Sequence, residues 1–108
     1  MTNDVLYRLA AIIKARRKAR PEDSHTRRLL DEAPLKPAKK LGEEAVEVAI
    51  AAIAQDDKAL VAETADLLYH LLVLLESRRI TLDEVFAELE RRMALTAVGE
   101  KRQKAASR

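Results

Sequence analysis

The sequence predicts an all-α protein, a helical bundle of about five helices in a single domain. Three observations carry this. Ala, Leu, Glu, Lys and Arg dominate the chain, and these are the strong helix formers. Aromatic residues make up only 3%, with 2 Gly and 3 Pro, too few for the strands and turns of an all-β chain. Apolar residues recur at helical spacing, as in Leu6, Leu9, Ile12 and Ile13. The 108 residues are 48% hydrophobic and 35% charged, so one core can form beneath a heavily charged surface.

The first helix is expected over residues 4–19, capped by Asn3 or Asp4 and closed by Pro21. Ser24 offers an N-cap to a short second helix whose apolar contacts are Leu29 and Leu30. Ala33 to Pro37 reads as a connector, with Pro37 able to sit in the first turn of a third helix reaching Ala54. Gly42 inside that helix costs about 1 kcal/mol relative to Ala, which suggests close packing or close approach of a ligand. Gln55, Asp56 and Asp57 break the pattern and cap a fourth helix over Lys58 to Ser77. Its second half, Leu67 to Leu75, is apolar nearly all round and must be covered on every side. A chain this small has trouble doing that alone, so a homodimer, intertwined, is expected. Thr81-Leu82-Asp83-Glu84 has the form of a capping box and starts a fifth helix through Ala97. The domain is therefore placed at residues 1–97, and 98–108 is expected to be a basic, disordered tail.

Cys is absent, so there is no disulfide framework, thiolate zinc site or cysteine nucleophile. The N-terminus lacks the basic-then-apolar pattern of a secretion signal, and the longest apolar run falls far short of the ~20 residues that span a bilayer. A cytoplasmic protein without a membrane partner is expected. Net charge is +2, but the charges are segregated. Lys14, Arg16, Arg17, Lys18 and Arg20 form one basic block, and Lys36, Lys39 and Lys40 another. Acids gather at Glu43, Glu44 and Glu47, then at Glu63 and Asp66. Each block suits a solvated helix surface; together they suit a polyphosphate held through metal ions.

The informative pattern is Glu43-Glu44-x-x-Glu47 on one helix and Glu63-x-x-Asp66 on the next. Residues three apart share a helical face, so Glu44 pairs with Glu47 and Glu63 with Asp66. The short linker implies antiparallel packing, and both pairs lie roughly two turns from it. They should meet. Gathered carboxylates repel, and a divalent cation removes the problem. An oxygen-only donor set favours Mg²⁺, with Mn²⁺ as substitute. A di-iron bundle would need Glu-x-x-His on two helices, and neither His lies three residues after a Glu.

These residues resemble a known family. The Glu-Glu-x-x-Glu and Glu-x-x-Asp set is similar to the signature of the all-α nucleoside triphosphate pyrophosphohydrolases. Lys40-Leu41-Gly42-Glu43-Glu44-Ala45-x-Glu47, the run Glu63 to Leu75 with Tyr69-His70, and Ser24-His25-Thr26 resemble the phosphoribosyl-ATP pyrophosphatase family over roughly residues 5–93. His25 stands where that family usually has Tyr. The resemblance implies Mg²⁺-dependent hydrolysis of 1-(5-phosphoribosyl)-ATP to 1-(5-phosphoribosyl)-AMP and pyrophosphate, the second step of histidine biosynthesis. It implies that Glu44, Glu47, Glu63 and Asp66 hold the metal, and that one of them, or Glu43, orients or deprotonates the attacking water. Lys39 and Lys40 are then candidates for gripping the triphosphate. Arg16, Arg17 and Arg20 are candidates for the separate ribose phosphate, and Ser24, Tyr69 and His70 for further substrate contacts.

Other readings compete. A house-cleaning hydrolase of ordinary or damaged nucleoside triphosphates would use the same metal site. A basic helical nucleic-acid-binding module is suggested by the Arg/Lys block, but the acids would neighbour the phosphates and stacking aromatics are scarce. An inert dimeric bundle is the plainest alternative. The expected partner is a small-molecule nucleotide rather than nucleic acid.

Overall fold

A computed structural model describes residues 4–106, with side chains through 96. It contains helices α1 (Val5–Ala15), α2 (His25–Asp31), α3 (Leu35–Ala54), α4 (Asp57–Ser77) and α5 (Leu82–Ala106), and no strand among the described residues. The five-helix, all-α expectation holds.

Three boundaries differ from the sequence reading: the ends of α1 and α5 and the start of α3. α1 ends at Ala15, and Arg16–Lys18 tighten into a 3₁₀ turn before Ala19 and Arg20 extend. Arg20 precedes Pro21, whose ring disfavours helical backbone in the residue before it. Asp4 holds the cap position without capping; its carboxylate pairs with Arg8 at 2.8 Å instead. Asn3 lies outside the described residues. At the other end, α5 runs on past Ala97, through Gly99, into the segment expected to be a frayed tail. One Gly costs only about 1 kcal/mol, and the residues after it are helix formers.

The remaining caps follow the sequence. Ser24 Oγ accepts the Arg27 N–H at 3.1 Å and starts α2. The connector to α3 is shorter than expected: α3 begins at Leu35, after a cis Ala33–Pro34 peptide. Pro37 is buried in its first turn, where a missing N–H leaves no bond unmade. Asp56 Oδ1 accepts the Ala59 N–H at 2.9 Å and opens α4. Extended Gln55 and Asp56 turn the chain, and α4 packs back along α3.

α4 closes with Arg79 in the left-handed region, φ 56°, while Ile80 N–H reaches back to the Leu75 carbonyl at 3.0 Å. The expected capping box then forms: Thr81 Oγ1 accepts the Glu84 N–H at 3.2 Å, and the Glu84 carboxylate accepts the Thr81 N–H at 2.7 Å. The core sits where α1, α2, the second half of α4 and the start of α5 converge, on Ile13, Leu29, Leu72, Val73 and Leu82. Tyr7 adds an edge-on contact to Phe86 and donates its hydroxyl to Asp83 at 2.7 Å. The Arg17 guanidinium bonds both the carboxylate and the carbonyl of Glu76, tying the chain after α1 to the end of α4. The apolar half of α4 is thus anchored, and its first half is left facing α3.

Candidate metal centre

α3 presents Lys36, Lys40, Glu44 and Glu47 along one face, because steps of three and four residues return to the same side of a helix. α4 presents Glu63 and Asp66 one turn apart. Packing the two helices antiparallel brings carboxylate oxygens of Glu44, Glu63 and Asp66 within 4.8 Å of one another. Glu44 and Glu63 are half-buried and Asp66 is exposed. One oxygen of Glu44 and one of Glu63, both Oε2, are buried with no hydrogen-bond partner. A carboxylate oxygen shut off from water and left unpaired is unfavourable, so this arrangement fits a hard cation. All three donors are carboxylate oxygens, the set that Mg²⁺ and Mn²⁺ prefer.

The electrostatics agree. Burial pushes the Glu44 carboxyl above the ordinary glutamate range, and the charge of Glu47, a hydrogen bond to it and the charge of Asp66 push it further; His70 opposes them. The Glu63 carboxyl is raised chiefly by its hydrogen bond to Glu47, then by burial and by the charges of Glu47, Asp66 and Glu44. Glu47, itself exposed, therefore stands against both. It also borders a polar opening of about 270 Å³ with Ile50, Gln55 and Glu63.

Comparison with known proteins bears directly on this pattern. The family model described as phosphoribosyl-ATP pyrophosphohydrolase matches residues 6–93, which takes in both acidic pairs. The chain belongs to the phosphoribosyl-ATP pyrophosphohydrolase family. A phosphoribosyl-ATP pyrophosphatase of Methylobacterium nodulans is 54% identical over 101 residues, covering 94% of each chain. Proteins of the same name from Cereibacter sphaeroides and Caulobacter vibrioides are 53% and 51% identical; those matches cover 90% and 94% of this chain and 94% of each relative.

In this member of the phosphoribosyl-ATP pyrophosphohydrolase family, several sequence-predicted site residues have other tasks. Glu43 is exposed, outside the carboxylate cluster, and lies 3.9 Å from Lys40. A position one residue before Glu44 is turned by about 100° around the helix, which accounts for this. Ser24 is buried as the α2 cap. The Tyr69 hydroxyl bonds Thr26 Oγ1 and ties α2 to α4. His70 is buried beside the cluster; its Nδ1 donates to the Asp66 carbonyl at 2.9 Å, which holds the ring in place.

The basic block is the main divergence. Arg17 is committed to Glu76, ten residues along α4 from Asp66 and about 15 Å away along the helix axis. Arg20 pairs with Glu22 at 3.1 Å on the surface. Arg16 is exposed and makes no ion pair among the described residues. Lys39 and Lys40 instead line an opening of about 450 Å³ with Leu35, Lys36 and Glu43. Lys36, to which sequence reasoning gave no site role, lines it with them. Lost hydration first, then the positive charges of Arg28, His70, Lys36 and Lys40, hold the His25 imidazole below the usual histidine range. The i, i+4, i+8 register of Lys36, Lys40 and Glu44 was the available signal for Lys36; His25 was marked only through the Ser24-His25-Thr26 resemblance, and nothing local marked Arg28.

Proposed function

We propose that this protein hydrolyses 1-(5-phosphoribosyl)-ATP between its α and β phosphates, yielding 1-(5-phosphoribosyl)-AMP and pyrophosphate in histidine biosynthesis. The observation that carries the reading is the meeting of Glu44, Glu63 and Asp66, with two buried oxygens lacking partners, inside the segment that matches the family.

Glu44, Glu63 and Asp66 would hold a divalent cation, Mg²⁺ or Mn²⁺, with Glu47 beside them. Such an ion, when bound, neutralises charge on the phosphate chain and polarises the bond to be cut. The chain's own residues do the rest. Glu47 is exposed at a polar opening that Glu63 also lines, a position from which a carboxylate can orient a water and accept its proton. His70 braces the backbone at Asp66. Lys39 and Lys40, one turn before the acids on α3, supply point charges for the phosphates.

The working unit in this proposal is a cytoplasmic homodimer. Its support is the apolar surface that one copy leaves in water. Ile53 is 87% exposed and Val61 70%, with Val46 and Ile50 beside them on α3 and Met93 on α5.

The test is pyrophosphate release from phosphoribosyl-ATP and from a panel of nucleoside triphosphates, with Mg²⁺ and with a chelator. Turnover of phosphoribosyl-ATP that is lost on chelation is expected. Turnover of the panel alone would transfer the site to a house-cleaning hydrolase.

A further inference from the structure

We propose that the cavity where α1, the end of α4 and the start of α5 meet binds a small amphipathic monoanion, a carboxylate on a short apolar body. The site goes beyond the hydrolytic reading, because it stands apart from the acidic cluster. Glu76 on its wall lies ten residues beyond Asp66, about 15 Å along the axis of α4.

The cavity holds about 360 Å³, inside the roughly 300–1,000 Å³ of small-molecule sites. Leu72, Leu75, Ile80 and Leu82 give it an apolar wall. Leu72 and Leu82 belong to the core, and Ile80 stays exposed. An apolar body seated there takes Ile80 out of water against a wall that is already packed.

Four charged side chains share the lining: Lys14, Glu76, Arg79 and Asp83. The two acids are occupied. Arg17 holds Glu76, and Asp83 accepts the Tyr7 hydroxyl. The two bases are not. Lys14, in the last turn of α1, and Arg79, in the turn after α4, are exposed and make no ion pair among the described residues. Arg79 also stands where its own backbone disfavours it. Its φ of 56° is the left-handed conformation in which helices usually close on glycine. An arginine at that position puts on the cavity wall a guanidinium fork, the group that matches a carboxylate. The acids set the charge of the ligand. One negative charge is met by the two bases; a second would face Glu76 and Asp83.

The experiment titrates the unmodified protein with hexanoate and follows backbone amides by NMR. Saturable shifts are expected at Ala10, Lys14, Ile80 and Asp83, with a rise in Tm at saturation. Acetate, which lacks the apolar body, and hexanol, which lacks the charge, should bind at least about tenfold more weakly. Arg79→Gly removes the guanidinium and suits the left-handed turn. It should melt at the same temperature or higher, yet lose about tenfold in hexanoate affinity. Lys14→Met keeps the apolar stem and should lose a similar factor; on the exposed face of α1, it decides the matter should Arg79→Gly fail to fold. Unchanged affinity in either folded variant, equal binding of hexanol, tighter binding of hexyl phosphate, the absence of saturable shifts, or shifts centred on Glu44 and Glu63 would overturn the site. No arm depends on turnover of phosphoribosyl-ATP, so failure of that reading leaves this one standing.

Discussion

Glu47 stands beside Glu44 and Glu63 in a cluster of acids bordered by His70, and what each side chain contributes is separable by experiment. Glu47→Gln should abolish pyrophosphate release while leaving helicity and oligomeric state intact; combined loss of folding and activity would mark Glu47 as structural. The acids also set a pH dependence. Glu44 and Glu63 hold their protons more firmly in the folded, metal-free chain than at the ordinary glutamate value of 4.5. The stability tied to that is complete below 4.5 and is lost as pH climbs through the raised values. Urea midpoints in chelator should therefore fall as pH rises from 4.5 toward neutrality, and Glu44→Gln with Glu63→Gln should flatten the fall. A double variant with an unchanged slope would count against this account. Single-residue roles were unevenly legible. The acids were readable because their partners lie three residues away; Arg17 was not, because its partner Glu76 is 59 positions further on.

Among the helices, the caps were the clearest text. Ser24, Asp56 and the Thr81–Glu84 box each act within three residues, so sequence alone places them. The breaks that depend on competing local costs were harder. The 3₁₀ turn after Ala15 comes several residues before the Pro21 that stops the helix, and the run of α5 beyond Ala97 turns on one Gly's cost of about 1 kcal/mol, too little for pattern reading to resolve. Gly42 shows what the structure adds. The sequence suggested close packing, yet a Cβ there meets nothing within 4 Å. Gly42→Ala should stabilise the chain by about 0.5–1 kcal/mol in urea unfolding. Greater stability together with lost hydrolysis would show that the glycine serves a ligand or a second copy approaching from outside.

The whole molecule is elongated, 64 × 34 × 33 Å, and its apolar surface is spread along α3, α4 and α5. Sedimentation should give about twice 12.1 kDa, and Ile50→Glu with Ile53→Glu should shift the protein toward a folded monomer. A single-copy mass for the unmodified chain would remove the dimer. The clasp of Arg17 on Glu76 has one more effect at this scale. α4 is a single rigid rod, so whatever fixes its far end also fixes its rotational phase. A slip of one residue would swing Glu63 and Asp66 by about 100° and strand them off their α3 counterparts. Arg17 thus keys the rod like a pin in a shaft. Arg17→Met should weaken Mg²⁺ binding in calorimetry although the lost contact sits about 15 Å from the nearest acid on that helix; unchanged affinity would show that the α3 packing indexes the rod unaided.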